Sequence, residues 1–451
     1  MRQPFRNAGL CMGRLWAQSS LRGRKSLSFG QRLEEIREGF RPAFWVANIT
    51  ELFERLAYYG AFSSLANYLH ETLGFSTEQT GGLTGFFGGL VWFLAILGGA
   101  LADRLGFRRS LSLAYLILSV AYFLLGSIGA GWTAPLRHAV PLWWLVVFVL
   151  MLPALGIALV KPCVVGTTAR ASSEKVRSIG YSIYYTLVNV GGAAGPWVAS
   201  LAHRHLGVEN VFRVSALSVF LMLFAVLLFF REPQRPGEAP TASLREACRN
   251  FLTVASNPKF MIFLLIFSGY WIVFWQEFIA LPLYIHGYIN PQADVERILI
   301  TDAAAVICFQ LLVSYLTQKI PTFRAITLGT LISALSWLVV AWHPAVWTAV
   351  LSLIILAFGE MTQSPRYYEY ISRLAPPGQQ GTYMGFAFLP IGIGSLVGGW
   401  LGGRVVHYFG EVVHRPEQAW WVISGVGLAT TVLMWVYDRT VKPGATPASA
   451  G

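Results

Sequence analysis

Residues 48–69 read NITELFERLAYYGAFSSLANYL. A helix crossing the hydrocarbon core of a bilayer needs roughly 20 mostly apolar residues. This run supplies them except at Glu51, Glu54 and Arg55. Spacings of three and four put those charges on one helical face, which Tyr58 and Tyr59 continue one turn on. An ionised group at mid-bilayer costs about 2.5–3.5 kcal/mol even on the lenient insertion scale. Three of them on one helix require that they pair and face a polar cavity. A purely structural ion-pair network is the alternative reading, and the two roles can coexist.

Further apolar runs complete the first at 43–69. They lie near 80–102, 110–130, 141–168, 178–202 and 211–230, then near 260–286, 298–318, 325–342, 346–370, 381–405 and 418–438. The gap from Arg231 to Lys259 contains EPQRPGEAP and is the only long polar stretch inside the chain. The expectation is an all-α membrane protein with twelve spans in two six-helix bundles, 43–230 and 260–440. A cytoplasmic linker (231–259) joins them, and tails (1–42 and 441–451) flank them. Paired halves of this kind imply a major facilitator fold with the substrate site between them at mid-membrane.

Composition agrees. Of 451 residues, 55% are hydrophobic and 12% charged, about half the charged fraction of a soluble domain. The net charge of +12 sits in short loops, which argues against nucleic acid as a partner. Loops after even-numbered spans, with both tails, hold 26 of the 34 Lys and Arg residues; loops after odd-numbered spans hold six. By the positive-inside rule both termini are expected in the cytoplasm. The expected location is a bacterial inner (plasma) membrane. The first 33 residues are basic, serine-rich and free of acids, resembling a transit peptide, with a start at Met12 as the equal alternative. The four cysteines lack paired spacing and the eight histidines lack metal-ligand spacing. No cofactor is expected beyond a proton gradient as energy source.

The two remaining bases, Arg55 and Lys161, lie inside spans. Lys161 is flanked by apolar residues and Pro162, so it needs an acid, and Glu51 or Glu54 is the expected partner. Span ten adds Glu360 behind a long apolar run, with Ser364 one turn below. Glu277 in span seven either adds another acid or faces the polar end of its helix. Without it, three acids and two bases leave one excess negative charge, which a closed, dry cavity disfavours. Uptake of one proton neutralises the set, hence an expectation of proton coupling.

Several motifs resemble the proton-dependent oligopeptide transporter (POT) family. Glu51-Leu-Phe-Glu54-Arg55 followed by Tyr58-Tyr59-Gly60 is similar to its ExxER…YYG signature, and Tyr184-Tyr185 to Asn189 to its span-five FYxxIN motif. Lys161-Pro162 matches its span-four lysine, and Gly359-Glu360 with Ser364-Pro365 its span-ten GE…SP. The segment Gly99–Arg109, with Asp103, Arg108 and Arg109, resembles the general facilitator loop that bridges moving helices. The resemblance implies symport of di- or tripeptides, or a similar zwitterionic or anionic solute, by alternating access. Glu51, Glu54, Arg55, Lys161 and Glu360 would couple protons. Arg55 and Lys161 would hold a substrate carboxylate, Glu360 and Asn189 its amino end, and Tyr58, Tyr59, Tyr185, Gln276 and Ser364 would line the cavity. The chain departs from the family at Phe62 and Trp275, where an arginine and an acid form the periplasmic gate, and at Ala387, where a pocket tryptophan stands. If Phe62 and Trp275 meet, they gate by aromatic packing.

Two rivals remain at this stage. Gly191-Gly-Ala-Ala-Gly195-Pro196 carries the GxxxGP core of a drug-antiporter motif, although small residues also serve plain helix packing in membranes. A membrane enzyme would need a His/Asp or metal cluster near one interface, and the histidines here stand singly, so no enzyme is expected.

Overall fold

The computed structural model describes residues 38–174, 176–233, 249, 252–376 and 380–441; they form helices and connecting turns, with no strand among them. Most of the expected linker and both tails lie outside the described residues. The first six long helices are α1 (Pro42–Asn67), α2 (Thr77–Leu105), α3 (Phe107–Leu125), α4 (Leu142–Ala171), α5 (Arg177–Leu206) and α6 (Val208–Phe229). The next six are α7 (Pro258–Phe274), α8 (Val295–Thr317), α9 (Thr322–Ser336), α10 (Val346–Leu374), α11 (Leu389–His407) and α12 (Gln418–Thr440). Their starts follow local rules. Pro42 and Pro258 open α1 and α7, Ser76 and Gln79 form a capping box at α2, and Asp294 caps α8 by accepting from the Arg297 N–H.

Among the described residues, ten helices are long and apolar enough to cross a membrane. The two long helices outside that set are α1 and α5. Every 18-residue window of α1 contains Glu51, Glu54 and Arg55 together. The apolar character of α5 is diluted by its serines, tyrosines, glycines and Asn189.

Packing repeats with a period of six helices. In the first half α1 packs on α5 and α6, α3 on α6 and α4, and α2 on α4. The same five pairings recur as α7 with α11 and α12, α9 with α12 and α10, and α8 with α10. Between the halves, α2 packs on α11 and α5 on α8, two contacts that the same repeat interchanges.

The halves press together most tightly at one face. At the face opposite the basic loops, α2 and α11 touch backbone to backbone. A Cβ on Gly81 would lie 2.6 Å from the Gly399 carbonyl oxygen, and one on Gly85 2.6 Å from the Gly399 Cα. Polar pairs cross the same face. Arg404 Nε donates to Glu78 Oε1 (2.6 Å), Thr77 Oγ1 to Glu411 (2.8 Å), Ser64 Oγ to Glu296 (2.8 Å) and Ser200 Oγ to Asp294 (2.7 Å). Arg204 meets Asp294 at 2.8 Å, His203 meets Glu296 at 2.8 Å and His286 meets Glu71 at 2.5 Å. Toward the basic face, a cleft of about 880 Å³ parts α5 from α8, lined by Arg177, Tyr181, Tyr185, Gln310 and their neighbours.

Two consequences can be measured. Gly399→Leu inserts a side chain where no space exists, and overpacking of this kind costs about 1–3 kcal/mol; the melting temperature of the purified protein should fall. An unchanged value would mean that α2 and α11 are not pressed together. The second concerns pH. The hydrogen bond from His286 holds the Glu71 carboxyl below its ordinary 4.5. Burial works against the charged form of His286, but the bonds to Glu71 and the Ala293 carbonyl outweigh it and hold the imidazole above its ordinary 6.5. The histidine therefore contributes to closure fully below 6.5 and loses that contribution as pH rises through its raised value. Glu71 contributes above 4.5 and fails only as pH falls through its lowered value. Spin labels at Thr72 and Gln292 in a cysteine-free background should report a short, narrow distance near pH 6 that broadens by pH 8.5. His286→Gln should remove that pH dependence, and a distribution unchanged by pH would contradict it.

Candidate functional site

The three charges of α1 are 0–2% exposed. Arg55 donates to Glu54 through Nε (2.6 Å) and Nη2 (2.7 Å), a bidentate pair, and its Nε lies 3.6 Å from Glu51 Oε1. Its guanidinium also covers the Tyr58 ring, 5.0 Å from the centroid. Glycines on α5 allow that helix to close over the cluster: a Cβ on Gly191 would stand 2.9 Å from Arg55 Cβ, and one on Gly195 2.6 Å from the Leu56 carbonyl oxygen. The GxxxGP segment is thus a packing seam between α1 and α5. Glu51 is the odd member. Neither of its oxygens has a hydrogen-bond partner among the described residues, and a buried polar group left unpaired is costly.

The expected ion pair between Lys161 and Glu51 or Glu54 is not formed. Arg55, one turn or less from both acids on the same helix, occupies that role. The Lys161 ammonium instead sits over the Trp92 ring, 4.6 Å from its centroid.

Between the halves lies a cavity of about 200 Å³. Of the residues expected to line it, Tyr59, Tyr185, Asn189, Glu360 and Ser364 do so, and Trp275, expected at the gate, lines it as well. Asn189 also donates back to the Tyr185 carbonyl at 2.8 Å, and Ser364 accepts from Gln363 at 2.7 Å. Arg55, Tyr58, Lys161 and Gln276 are not among the lining. Arg55 is held by Glu54. Tyr58 is buried against Phe62, with ring centroids 5.6 Å apart. The Gln276 amide donates to the Ile272 and Gly398 carbonyls (2.7 and 3.0 Å), clamping α7 to α11.

Phe62 and Trp275 meet edge to face, with centroids 5.4 Å apart, inside a plug completed by Phe87 and Phe278. The Trp275 indole donates to the Ile391 carbonyl at 3.2 Å, which fixes the ring. Where the family's tryptophan would stand, the Ala387 carbonyl accepts from the Tyr367 hydroxyl at 2.8 Å.

At Trp275–Glu277 the α7 helix tightens into a 3₁₀ turn before resuming at Ala280. That turn aims Glu277 into the cavity lining, where it is 1% exposed and neither oxygen has a hydrogen-bond partner. Asp302 of α8 lines the same space, and its Oδ1 is likewise buried and unpartnered. Sequence reasoning passed over Asp302. The signal was a lone acid within the apolar run ILITDAAAVICF, the same anomaly that marked α1. The deep charges thus comprise five acids, not three, against two bases.

At the basic face, Glu232 caps α3, its two oxygens accepting from the Phe107 and Arg108 N–H groups (2.8 Å each), while Arg108 Nη2 donates to the Leu227 carbonyl (2.7 Å). Gly106 turns the chain there at φ +82°, in the left-handed region open to glycine. Arg109 lines the same shallow surface. The side chain of Asp103 lies outside the described residues.

Known proteins resemble this chain in sequence and in fold. The sequence is 24% identical over 396 residues to an uncharacterised MFS-type transporter, YqjV, of Bacillus subtilis, covering 86% of this chain and 91% of that one. It is 22% identical to the multidrug resistance protein MdtH of Escherichia coli, covering 77% and 82%. Among solved structures, a POT family transporter in complex with 5-aminolevulinic acid matches with a TM-score of 0.75 at 17% identity, covering 88% of this chain and 96% of that one. The nucleoside transporter NupG matches with a TM-score of 0.74 at 13% identity, covering 88% and 99%. The sequence profile of the Major Facilitator Superfamily matches residues 48–291 and 298–451. The chain is a multi-pass integral membrane transporter, not an enzyme, and it belongs to the Major Facilitator Superfamily.

Proposed function

We propose that this chain is a proton-coupled secondary transporter of a small amine-bearing solute, with the central cavity as its binding site. The observation that carries the coupling is Glu51. It is a buried carboxylate without a hydrogen bond, beside an Arg55 already committed to Glu54. Binding a proton removes the cost of its charge, and releasing the proton restores the attraction to Arg55. The group can therefore exist in two states that favour different surroundings. The basic loops support a cytoplasmic position for both termini, and the bacterial curated relatives support an inner-membrane location.

The solute class follows from the lining. It contains Glu277, Asp302 and Glu360, while no lysine, arginine or histidine belongs to it among the described residues. An amine is matched there three times over. Among the described residues a carboxylate has only Lys161, across Trp92, because Arg55 is held by Glu54. Peptide symport, the second reading, is favoured by the ExxER charges and by the POT-like fold. Export of cationic compounds is favoured by the acid-only lining and by the likeness to MdtH.

Proteoliposomes separate these readings. Radiolabelled alanyl-alanine and benzyltrimethylammonium would be offered with the acidic side outside or inside. Movement should follow the imposed proton gradient and stop with protonophore. The direction of gradient-driven accumulation distinguishes symport from antiport. Glu51→Gln should abolish accumulation above the level seen with protonophore while the melting temperature stays close to that of the unaltered chain. Transport that ignores the gradient would overturn the coupling.

A further inference from the structure

The two halves are not balanced alike. In the first half, Glu51 and Glu54 lie against Arg55, and Lys161 stands over Trp92. In the second, Glu277, Asp302 and Glu360 meet at one cavity with no base in its lining among the described residues. Glu277 is 1% exposed with both oxygens unpartnered, and Asp302 Oδ1 is buried and unpartnered, so these carboxylates receive no hydrogen bond from the described protein. The surrounding walls are aromatic: Tyr59, Trp92, Trp271, Trp275 and Tyr368 all contribute.

We propose that Glu277, Asp302 and Glu360 form a binding site for a lipophilic organic cation, in which bound cation and protons displace one another. The inference rests on the transport reading of the same cavity and adds to it Asp302 and Glu277, the ligand class and the exchange. Three carboxylates cannot all remain ionised in a dry pocket without countercharge. Either protons or a cation must supply it. When one monovalent cation enters, one carboxyl proton leaves to solvent, and the net charge of the pocket is unchanged. Aromatic faces add attraction for a positive group of low hydration, which favours a substituted ammonium over a metal ion. No grouping of side chains among the described residues has a metal-holding arrangement.

The other titratable groups facing these acids do not supply the countercharge. Tyr59 comes from α1, Tyr185 from α5, Tyr270 from α7 and Tyr368 from α10, all phenols. Trp92 of α2 and Ile391 of α11 do not titrate. Arg55 acts on Tyr59 from its pair with Glu54, and Lys161 lies over Trp92.

The test uses benzyltrimethylammonium, whose charge is fixed, so any pH dependence of binding belongs to the protein. Isothermal titration of the purified full chain at pH 5.5, 6.5 and 7.5 should show affinity rising by up to about tenfold per pH unit, as linkage requires for one displaced proton. A dye in weak buffer should register about one proton released per cation bound. Asp302→Asn and Glu277→Gln should each lower both affinity and proton release. Equal affinity across pH, or binding without proton release, overturns the proposal. The same holds for binding that survives the double variant. Should the variants fail to fold, proton release by the unaltered chain still decides. The outcome is separable from that of the coupling experiment: gradient-independent transport with proton-displacing binding would remove the Glu51 mechanism and leave this site standing.

Discussion

The interaction on which the rest of the structure depends is the buried contact among Glu51, Glu54 and Arg55. A guanidinium and two carboxylates in the middle of a span cannot face lipid, so α1 must be enclosed by other helices. Gly191 and Gly195 let α5 come close enough to do this, while α4 brings Lys161 to Trp92 on the cavity side. Because α5 also packs on α8, enclosing the charges and joining the halves are one arrangement. The bidentate Arg55–Glu54 pair satisfies itself. Glu51 is left as the group whose surroundings must change if it is to be comfortable in either protonation state.

That division gives the halves different tasks. The first half holds compensated charge around one unsatisfied acid. The second holds acids alone, aimed into an aromatic space. Closure away from the basic face relies on two kinds of contact. The Phe62–Trp275 plug is apolar, with no charge for salt or pH to act on, and aromatic pairs contribute about 0.5–1.5 kcal/mol beyond buried area. The surrounding ring of polar pairs, including His286–Glu71, responds to both. A transporter closed by both has a packing component that sets the position and an electrostatic one that tunes its strength.

How much of this could be read from the sequence depended on whether a residue's meaning was local. The charges of α1 were legible because any burial of them in a membrane is anomalous. Hydropathy alone misses α1 for the same reason. The meeting of Phe62 and Trp275 could be framed only as a condition, from the two positions at which the chain departs from the family it resembles. The partner of Lys161 was not legible, since the choice between Arg55 and Lys161 depends on angstrom-scale proximity within one helix. Nor was the direction of Glu277, which is set by the turn at Trp275–Glu277 and by the bond from Trp275 to Ile391. Gln276, polar and adjacent, is drawn instead to the α11 backbone. Asp302 was readable in principle, by the rule already applied to α1. The glycines were visible, but which helix each one admits was not.

The most direct test of the account is the protonation of Glu51 itself. Infrared difference spectra between acid and alkaline pH, recorded on the protein in lipid, register the C=O stretch of protonated carboxyl groups. The account predicts a carboxyl band that disappears on alkalinisation, is missing in Glu51→Gln and remains in Glu360→Gln. A spectrum in which Glu51→Gln removes no titrating band would mean that Glu51 holds one protonation state throughout, and would contradict the central claim.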